Sequence, residues 1–109
     1  MATTYKVLGQ VNPAATTATT LYTVPASTQT IVSTLTVTNQ TATAGTYRIS
    51  LRVAAAADNA KQYIAYDVSL PGNASDTLTL GVTLGATDVI TVYASAATFS
   101  FNAFGSEIV

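Results

Sequence analysis

The chain contains no cysteine, no histidine and no tryptophan. Without cysteine it forms no disulfide, and without cysteine and histidine it lacks the usual tetrahedral zinc ligands. The commonest general base and the commonest thiol nucleophile of enzymes are missing for the same reason. These absences predict a protein with no metal site and no cofactor, and they argue against catalysis.

Charge is also scarce. Charged residues make up 8% of the chain and the net charge is −1, whereas ordinary soluble domains are about 25% charged. Neither nucleic acid nor an anionic membrane is therefore favoured as a partner. The longest apolar run, residues 53–57, is far shorter than the roughly 18 residues of a membrane helix. The opening "MATTYKVLGQ" lacks the features of a signal peptide, so we expect a soluble protein.

Strand-like alternation recurs at short intervals, separated by turn residues. The segments are "TYKVLG", "LYTVP", "TQTIVSTLTVTNQ", "TYRISLRV", "QYIAYDVSL", "DTLTLGVTL", "DVITVYAS" and "TFSFNAFGSEIV". About eight short strands at this spacing predict one all-β domain over residues 1–109, either an antiparallel β-sandwich or a jelly roll. For residues 54–62, which are rich in alanine, we predict an irregular loop, with a short helix as the alternative.

The period-two pattern also predicts which side chains face the core. The predicted inward sets are Ile31, Ser33, Leu35 and Val37; Tyr47, Ile49, Leu51 and Val53; Ile64, Tyr66, Val68 and Leu70; and Leu78, Leu80, Val82 and Leu84. The outward set of the first of these strands is Val32, Thr34, Thr36 and Thr38. Threonine thus stands where a solvent-facing strand normally carries lysine or glutamate.

Two arrangements could carry chemistry. Asp67 and Asp76 flank the turn "PGN" and could form a carboxylate pair of the kind used in glycoside hydrolysis. Aspartate is also favoured in turns for its local hydrogen bonds, which accounts for Asp76, while Asp67 is an outward strand position. A serine–lysine pair using Lys6 or Lys61 has no nucleophile elbow to support it. We interpret the chain as a protein without enzymatic activity.

Arg48 and Arg52 project from the same side of one predicted strand. They could bind a carboxylate or a phosphate group together. The alternative is a pair of solvated arginines whose stems lie over neighbouring threonines. Two guanidinium groups do not make the basic stripe of a nucleic-acid surface, so no nucleic acid is predicted as a partner.

A threonine-coated strand face suits contact with another protein. Threonine favours the extended conformation, and its hydroxyl is cheaper to remove from water than a charged group. Interface cores are poor in charge and rich in tyrosine and phenylalanine, and low net charge favours association. We therefore interpret the chain as a subunit of an assembly; the alternative is a plain threonine-rich β domain of an extracellular protein. The candidate interface residues are Tyr5, Tyr22, Arg48, Arg52, Tyr63, Tyr93 and Phe104.

Nearly the whole chain resembles a family of small structural proteins. The order "LYTVPASTQTIVSTLTVTNQ", "YRISLRVA", "YIAYDVSL" and "TLGATDVITVYASAATFSFNAFGSEI" is similar to virion proteins of tailed bacteriophages, cyanophages in particular. The "VPA" before a Thr/Val strand and the closing "VYAS…FSFNAFGSEI" carry most of the resemblance. It implies a β-sandwich module that decorates or cements a capsid, or that forms part of a tail or fibre.

The resemblance and the residues together favour a non-enzymatic capsid decoration or cement protein. Its expected partners are the major capsid protein or other virion proteins, and its expected location is the virion, assembled in the host cytoplasm. A homotrimer is expected because three-fold positions recur over an icosahedral shell. The alternative is a tail, fibre or host-recognition module. A carbohydrate-binding sandwich is a third interpretation, but it needs exposed aromatic residues in a loop cluster, and "NQTATAG" and "PGNASD" have none.

Overall fold

The computed structural model describes residues 2–109, and most of them lie in strands. The nine strands of this range are β1 (Thr3–Val11), β2 (Thr19–Thr23), β3 (Gln29–Asn39), β4 (Gly45–Arg52), β5 (Tyr63–Leu70), β6 (Ser75–Leu78), β7 (Val82–Leu84), β8 (Val89–Ala94) and β9 (Phe99–Ile108). Two single-turn 3₁₀ helices, Val53–Ala55 and Ala60–Gln62, connect β4 to β5. The predicted all-β class is confirmed.

The strands pair as one long antiparallel ribbon that folds back on itself between β4 and β5. Along this ribbon β1 pairs with β9, β2 with β8, β3 with β6 and β7, and β4 with β5. Rolling up the ribbon adds the pairs β3–β9 and β4–β8. The result is sheet A, in the order β1-β9-β3-β6 with β7 also on β3, and sheet B, in the order β2-β8-β4-β5. This strand order is that of a jelly roll.

The core lies between the two sheets. Its largest fully buried side chains include Tyr47, Phe99, Phe101 and Ile49. The rings of Tyr47 and Phe101 meet edge to face, with centroids 6.2 Å apart and planes at 72°. This arrangement places the positive edge of one ring against the negative face of the other, so it stabilises the core beyond the burial of area alone.

Polar side chains connect the sheets through this core. The Tyr47 hydroxyl on β4 donates to Asp76 Oδ2 on β6 at 2.8 Å. The Tyr22 hydroxyl on β2 is 2.8 Å from the Thr30 hydroxyl on β3 and donates to Glu107 on β9. Within residues 2–109 no buried side-chain nitrogen or oxygen lacks a hydrogen-bond partner. The two sheets are therefore held by specific bonds as well as by apolar packing.

A β-bulge changes the faces predicted for β3. The register against β9 shifts between Val32 and Thr34, so Ser33 is an extra residue. Beyond the bulge Leu35 and Val37 are buried as predicted, but before it Ile31 is exposed and Val32 is buried. The inward prediction for Ile31 and Ser33 was wrong because one extra residue reverses the alternation.

The prediction for β4 fails only near the end of the strand. Tyr47 and Ile49 are buried and Leu51 is half-buried, but Val53 is 69% exposed because the strand ends at Arg52 and Val53 begins a 3₁₀ turn. Ser50, predicted outward, is buried where the second 3₁₀ turn lies against β4.

The segment 75–84 is not one continuous strand. It breaks at residues 79–81, where Gly81 has a positive φ of 62°, so Leu80 is 52% exposed instead of inward. Leu78 and Val82 on either side are half-buried, and Leu84 is buried. Residues 54–62, predicted as an irregular loop with a short helix as the alternative, contain single 3₁₀ turns separated by irregular chain.

Candidate functional site

The predicted interface residues divide between opposite faces of the sandwich, with one exception. Tyr5 and Phe104 lie on the outer face of sheet A, whereas Arg48, Arg52, Tyr63 and Tyr93 lie on the outer face of sheet B. The exception is Tyr22, which is 7% exposed and lies inside the sandwich. Burial, aided by the bond to Glu107, raises the pKa of Tyr22 to about 12. Its hydroxyl joins the two sheets, so Tyr22 belongs to neither surface.

Within residues 2–109, the outer face of sheet A carries no charged side chain. Strand register and alternation assign the following side chains to this face, which we call the hydroxyl face: Thr3, Tyr5, Val7, Gln10, Gln29, Ile31, Ser33, Thr34, Thr36, Thr38, Ser75, Thr77, Thr83, Ser100, Asn102, Phe104, Ser106 and Ile108. The charged residues of the sheet A strands, Lys6, Asp76 and Glu107, lie on the side toward sheet B. They are held there by bonds: Lys6 Nζ is 3.0 Å from Glu107 Oε1, and Asp76 accepts from Tyr47.

An apolar patch lies toward the β1 edge of the hydroxyl face. Tyr5 is 83% exposed, and Val7 and Ile31 are also exposed. Tyr5 and Ile31 flank Ser106 of β9 on either side, while Val7 lies opposite Phe104. Ser106 is buried although the register places it on the outer face. An exposed apolar patch with a polar rim is typical of a protein interaction site.

The outer face of sheet B carries a different arrangement, created by irregularities in β5. Against β4, the register of β5 shifts at Ile64 and again at Tyr66–Asp67. Asp67 takes the left-handed conformation, with φ of 50°, which aspartate adopts more readily than most residues. The predicted inward positions of Ile64 and Tyr66 were therefore wrong, and both are exposed. As a result Tyr63, Tyr66 and Asp67 all project from the same face.

Arg48 organises these side chains. Its guanidinium carbon lies 4.2 Å from the ring centroid of Tyr66 and 4.3 Å from that of Tyr93, its cross-strand partner on β8. Its Nε and Nη2 donate to the Asp67 carboxylate at 2.6 and 3.2 Å. The bond to Arg48 lowers the pKa of Asp67, and the same bond raises the pKa of Arg48. The arginine charge is thus balanced by Asp67 and fixed between two aromatic rings.

A cleft opens beside this group. It has a volume of about 610 Å³ and is lined by Arg48, Asp58, Ala60, Tyr63 and Tyr66. The rings of Tyr63 and Tyr66 are nearly perpendicular, at 87°, with centroids 5.0 Å apart. The Tyr63 hydroxyl donates to Asp58 Oδ1 at 2.9 Å, and partial burial together with this bond raises the pKa of Tyr63. We call this arrangement the tyrosine–arginine cleft.

Arg52 lies on the same face but does not act together with Arg48. It donates to the backbone carbonyls of Ala56 at 2.7 Å and Ala55 at 3.3 Å. Both guanidinium groups therefore have protein partners, and they do not form a shared anion site. Asp67 and Asp76 likewise have separate partners on different sheets, which removes the carboxylate pair considered from the sequence.

Residues 2–109 do not show the features of a membrane-spanning helix or of a metal site. No helix within residues 2–109 is long and apolar enough to cross a membrane. The same range holds no group of three or more aspartate or glutamate side chains placed to bind a metal ion. Comparison of the chain with models of protein families, with curated proteins and with solved structures finds no match.

Proposed function

We propose that the protein is a non-enzymatic structural subunit of a phage virion, a decoration or cement protein that docks on the capsid shell through its hydroxyl face. The observation that carries the proposal is the absence of charged side chains from a sheet face that also exposes an apolar patch. A surface of this kind loses little solvation free energy on docking, because no lysine or glutamate must be removed from water.

The fold is compatible with this role. The molecule measures 45 × 27 × 20 Å, so each sheet presents a broad surface. A standard protein interface buries about 800 Å² on each partner, an area that such a surface can supply. Jelly rolls occur in viral capsid proteins and also in lectins, which is an analogy at the level of fold only. The resemblance to phage virion proteins points to the first of these settings.

Binding in many copies makes the proposal energetically reasonable. Each contact through hydroxyl and apolar groups is modest, but an array of subunits on a lattice multiplies it. The expected partner is the major capsid protein or another virion protein, and a homotrimer bridging subunits at three-fold positions is the expected form. Sedimentation analysis of the purified protein tests the trimer separately from docking.

The docking test uses particles that lack the protein. We expect them to assemble with normal dimensions but to rupture at a lower temperature, and purified protein added back should restore them. Restoration should depend little on salt, because the hydroxyl face has no charge to be screened.

Tyr5→Lys, which places a charge in the apolar patch of the hydroxyl face, should fail to restore the particles. Ser69→Lys is the matched control, because Ser69 is exposed on the outer face of sheet B. Equal restoration by both variants would contradict docking through this face. Depleted particles that are fully robust but do not adsorb to cells would instead support a tail or host-recognition module.

A further inference from the structure

The tyrosine–arginine cleft on sheet B has no part in docking through the hydroxyl face on sheet A. We propose that this cleft binds a neutral saccharide, with a sugar ring against a tyrosine side chain and sugar hydroxyls bonded to Asp58.

The aromatic part of the cleft suits a sugar ring. Tyr66 is 58% exposed and Tyr63 is half-buried, so both rings reach the cleft without filling it. One face of a pyranose carries C–H groups with a slight positive charge, and the face of an aromatic ring is negative. Because the two rings are nearly perpendicular and both line the cleft, they present differently oriented aromatic surfaces to such a ligand.

The polar part suits hydroxyl groups. Asp58 lines the cleft and receives one hydrogen bond, from Tyr63. An ionised carboxylate accepts roughly four hydrogen bonds, so Asp58 can accept more. Adjacent sugar hydroxyls can donate hydrogen bonds to the carboxylate oxygens and can accept hydrogen bonds from other groups.

The charges in the cleft select against ionic ligands. A cationic ligand would normally be drawn to a pair of tyrosine rings, but Arg48 already occupies the position over Tyr66 and would repel it. An anionic ligand would need a free guanidinium, and Asp67 already binds that of Arg48. Asp58 adds a negative charge beside the cleft. A neutral ligand with many hydroxyls is not repelled by Arg48 and does not need a free guanidinium group.

The cleft is held in shape before any ligand arrives. Arg48 is fixed by its carboxylate partner and by two rings. The loop that carries Asp58 is fixed by a capping box, in which Asn59 accepts from the Lys61 amide at 3.1 Å and Gln62 accepts from the Asn59 amide at 3.0 Å. Such preorganisation reduces the conformational entropy that binding must overcome.

The test uses the isolated protein, so its result does not depend on capsid docking. We expect the protein to bind at least one member of a panel of immobilised glucose, galactose, mannose and N-acetylglucosamine oligosaccharides. Saturation-transfer NMR with the soluble sugar then reports binding in solution. Tyr66→Ala should weaken binding at least about tenfold, a loss of about 1.4 kcal/mol. Tyr5→Ala, on the opposite face, is the control and should bind as the parent protein does.

Circular dichroism of each variant establishes that the fold is retained. Asp58→Asn provides a second reading, because it removes the carboxylate charge but keeps the side-chain shape, and it should also weaken binding. The proposal is overturned if no saccharide in the panel binds, or if Tyr66→Ala binds unchanged. It is also overturned if Tyr66→Ala only converts an oligomer to a monomer, which would make the cleft a contact between copies of the chain.

Discussion

The bond from Tyr47 to Asp76 gives the sharpest test of how the two sheets are joined. Tyr47 is 1% exposed, and its hydroxyl donates to the half-buried carboxylate of Asp76 at 2.8 Å. Tyr47→Phe keeps the ring and its contact with Phe101 but leaves the carboxylate without this donor. Hydrogen bonds to charged groups contribute about 1.5–3 kcal/mol, so we expect a loss of about 2 kcal/mol. In a domain of this size that corresponds to a fall in Tm of about 10 °C.

The measurement is a double-mutant cycle by urea unfolding, with Asp76→Asn as the second substitution. In the parent protein Asp76→Asn should cost about 1 kcal/mol, because a neutral acceptor makes a weaker bond than a carboxylate. In the Tyr47→Phe background the same change should cost nothing or should stabilise, since an amide without its donor is easier to bury than a charge. Equal costs of Asp76→Asn in the two backgrounds would refute the reasoning, because they would mean that the two side chains are not coupled.

Two further substitutions follow from local geometry and charge. Gly105→Ala should destabilise the protein by at least about 3 kcal/mol in thermal unfolding, because its Cβ would overlap a backbone carbonyl of β3. Gly85→Ala, where the added carbon meets only a carboxylate oxygen at 3.8 Å, should stay within about 0.5 kcal/mol and is its control. Glu107 has a pKa lowered from 4.5 by its bonds to tyrosine and lysine. Its contribution to stability is therefore present above about pH 4.5 and is lost as the pH falls through the lowered value. Glu107→Gln should flatten the acid side of the stability curve, and an unchanged curve would contradict the assignment.

The fold class was predictable because it depends on features that repeat along the chain. Alternating apolar residues mark nearly every strand, and turn residues separate the strands. A β-sandwich or a jelly roll could therefore be predicted from the number and spacing of these segments. The order of the strands was not predictable, since it depends on which distant segments pair. The number of strands was wrong at one place. The segment predicted as one strand breaks at residues 79–81 into β6 and β7, and the sequence "LGV" there looks like a continuation of the alternating pattern.

The faces of the strands were predictable only where the alternation is unbroken. Ser33 and Asp67 each mark a place where the phase changes, and neither has a neighbouring sequence that separates a bulge from an ordinary strand position. A single extra residue moves every later side chain to the other face. This is why Tyr66, interpreted as a core residue, lies beside Arg48 on the surface.

The candidate surfaces were predictable by residue type and not by position. Tyrosine, arginine and phenylalanine are the residues that interfaces favour, so the sequence suggested Tyr5, Arg48, Tyr63 and Tyr93 as candidates, and all four lie on outer sheet faces. The sequence also suggested Tyr22, whose burial depends on bonding partners that come from other strands. The meeting of Asp67 with Arg48 is a tertiary effect, and no local pattern indicates it.

The pairing of the strands determines when this chain can fold. β9 lies between β1 and β3, and β8 lies between β2 and β4, so the inner strands of both sheets include those that come last along the chain. Contacts between such distant segments form slowly, because a long loop must close before any of them is made. Until β8 and β9 are available, β1 and β3 have no partner between them, and their low charge offers little protection from pairing with other chains. The charge-poor strands through which we propose docking are therefore also the segments that we expect to be most exposed to aggregation during synthesis.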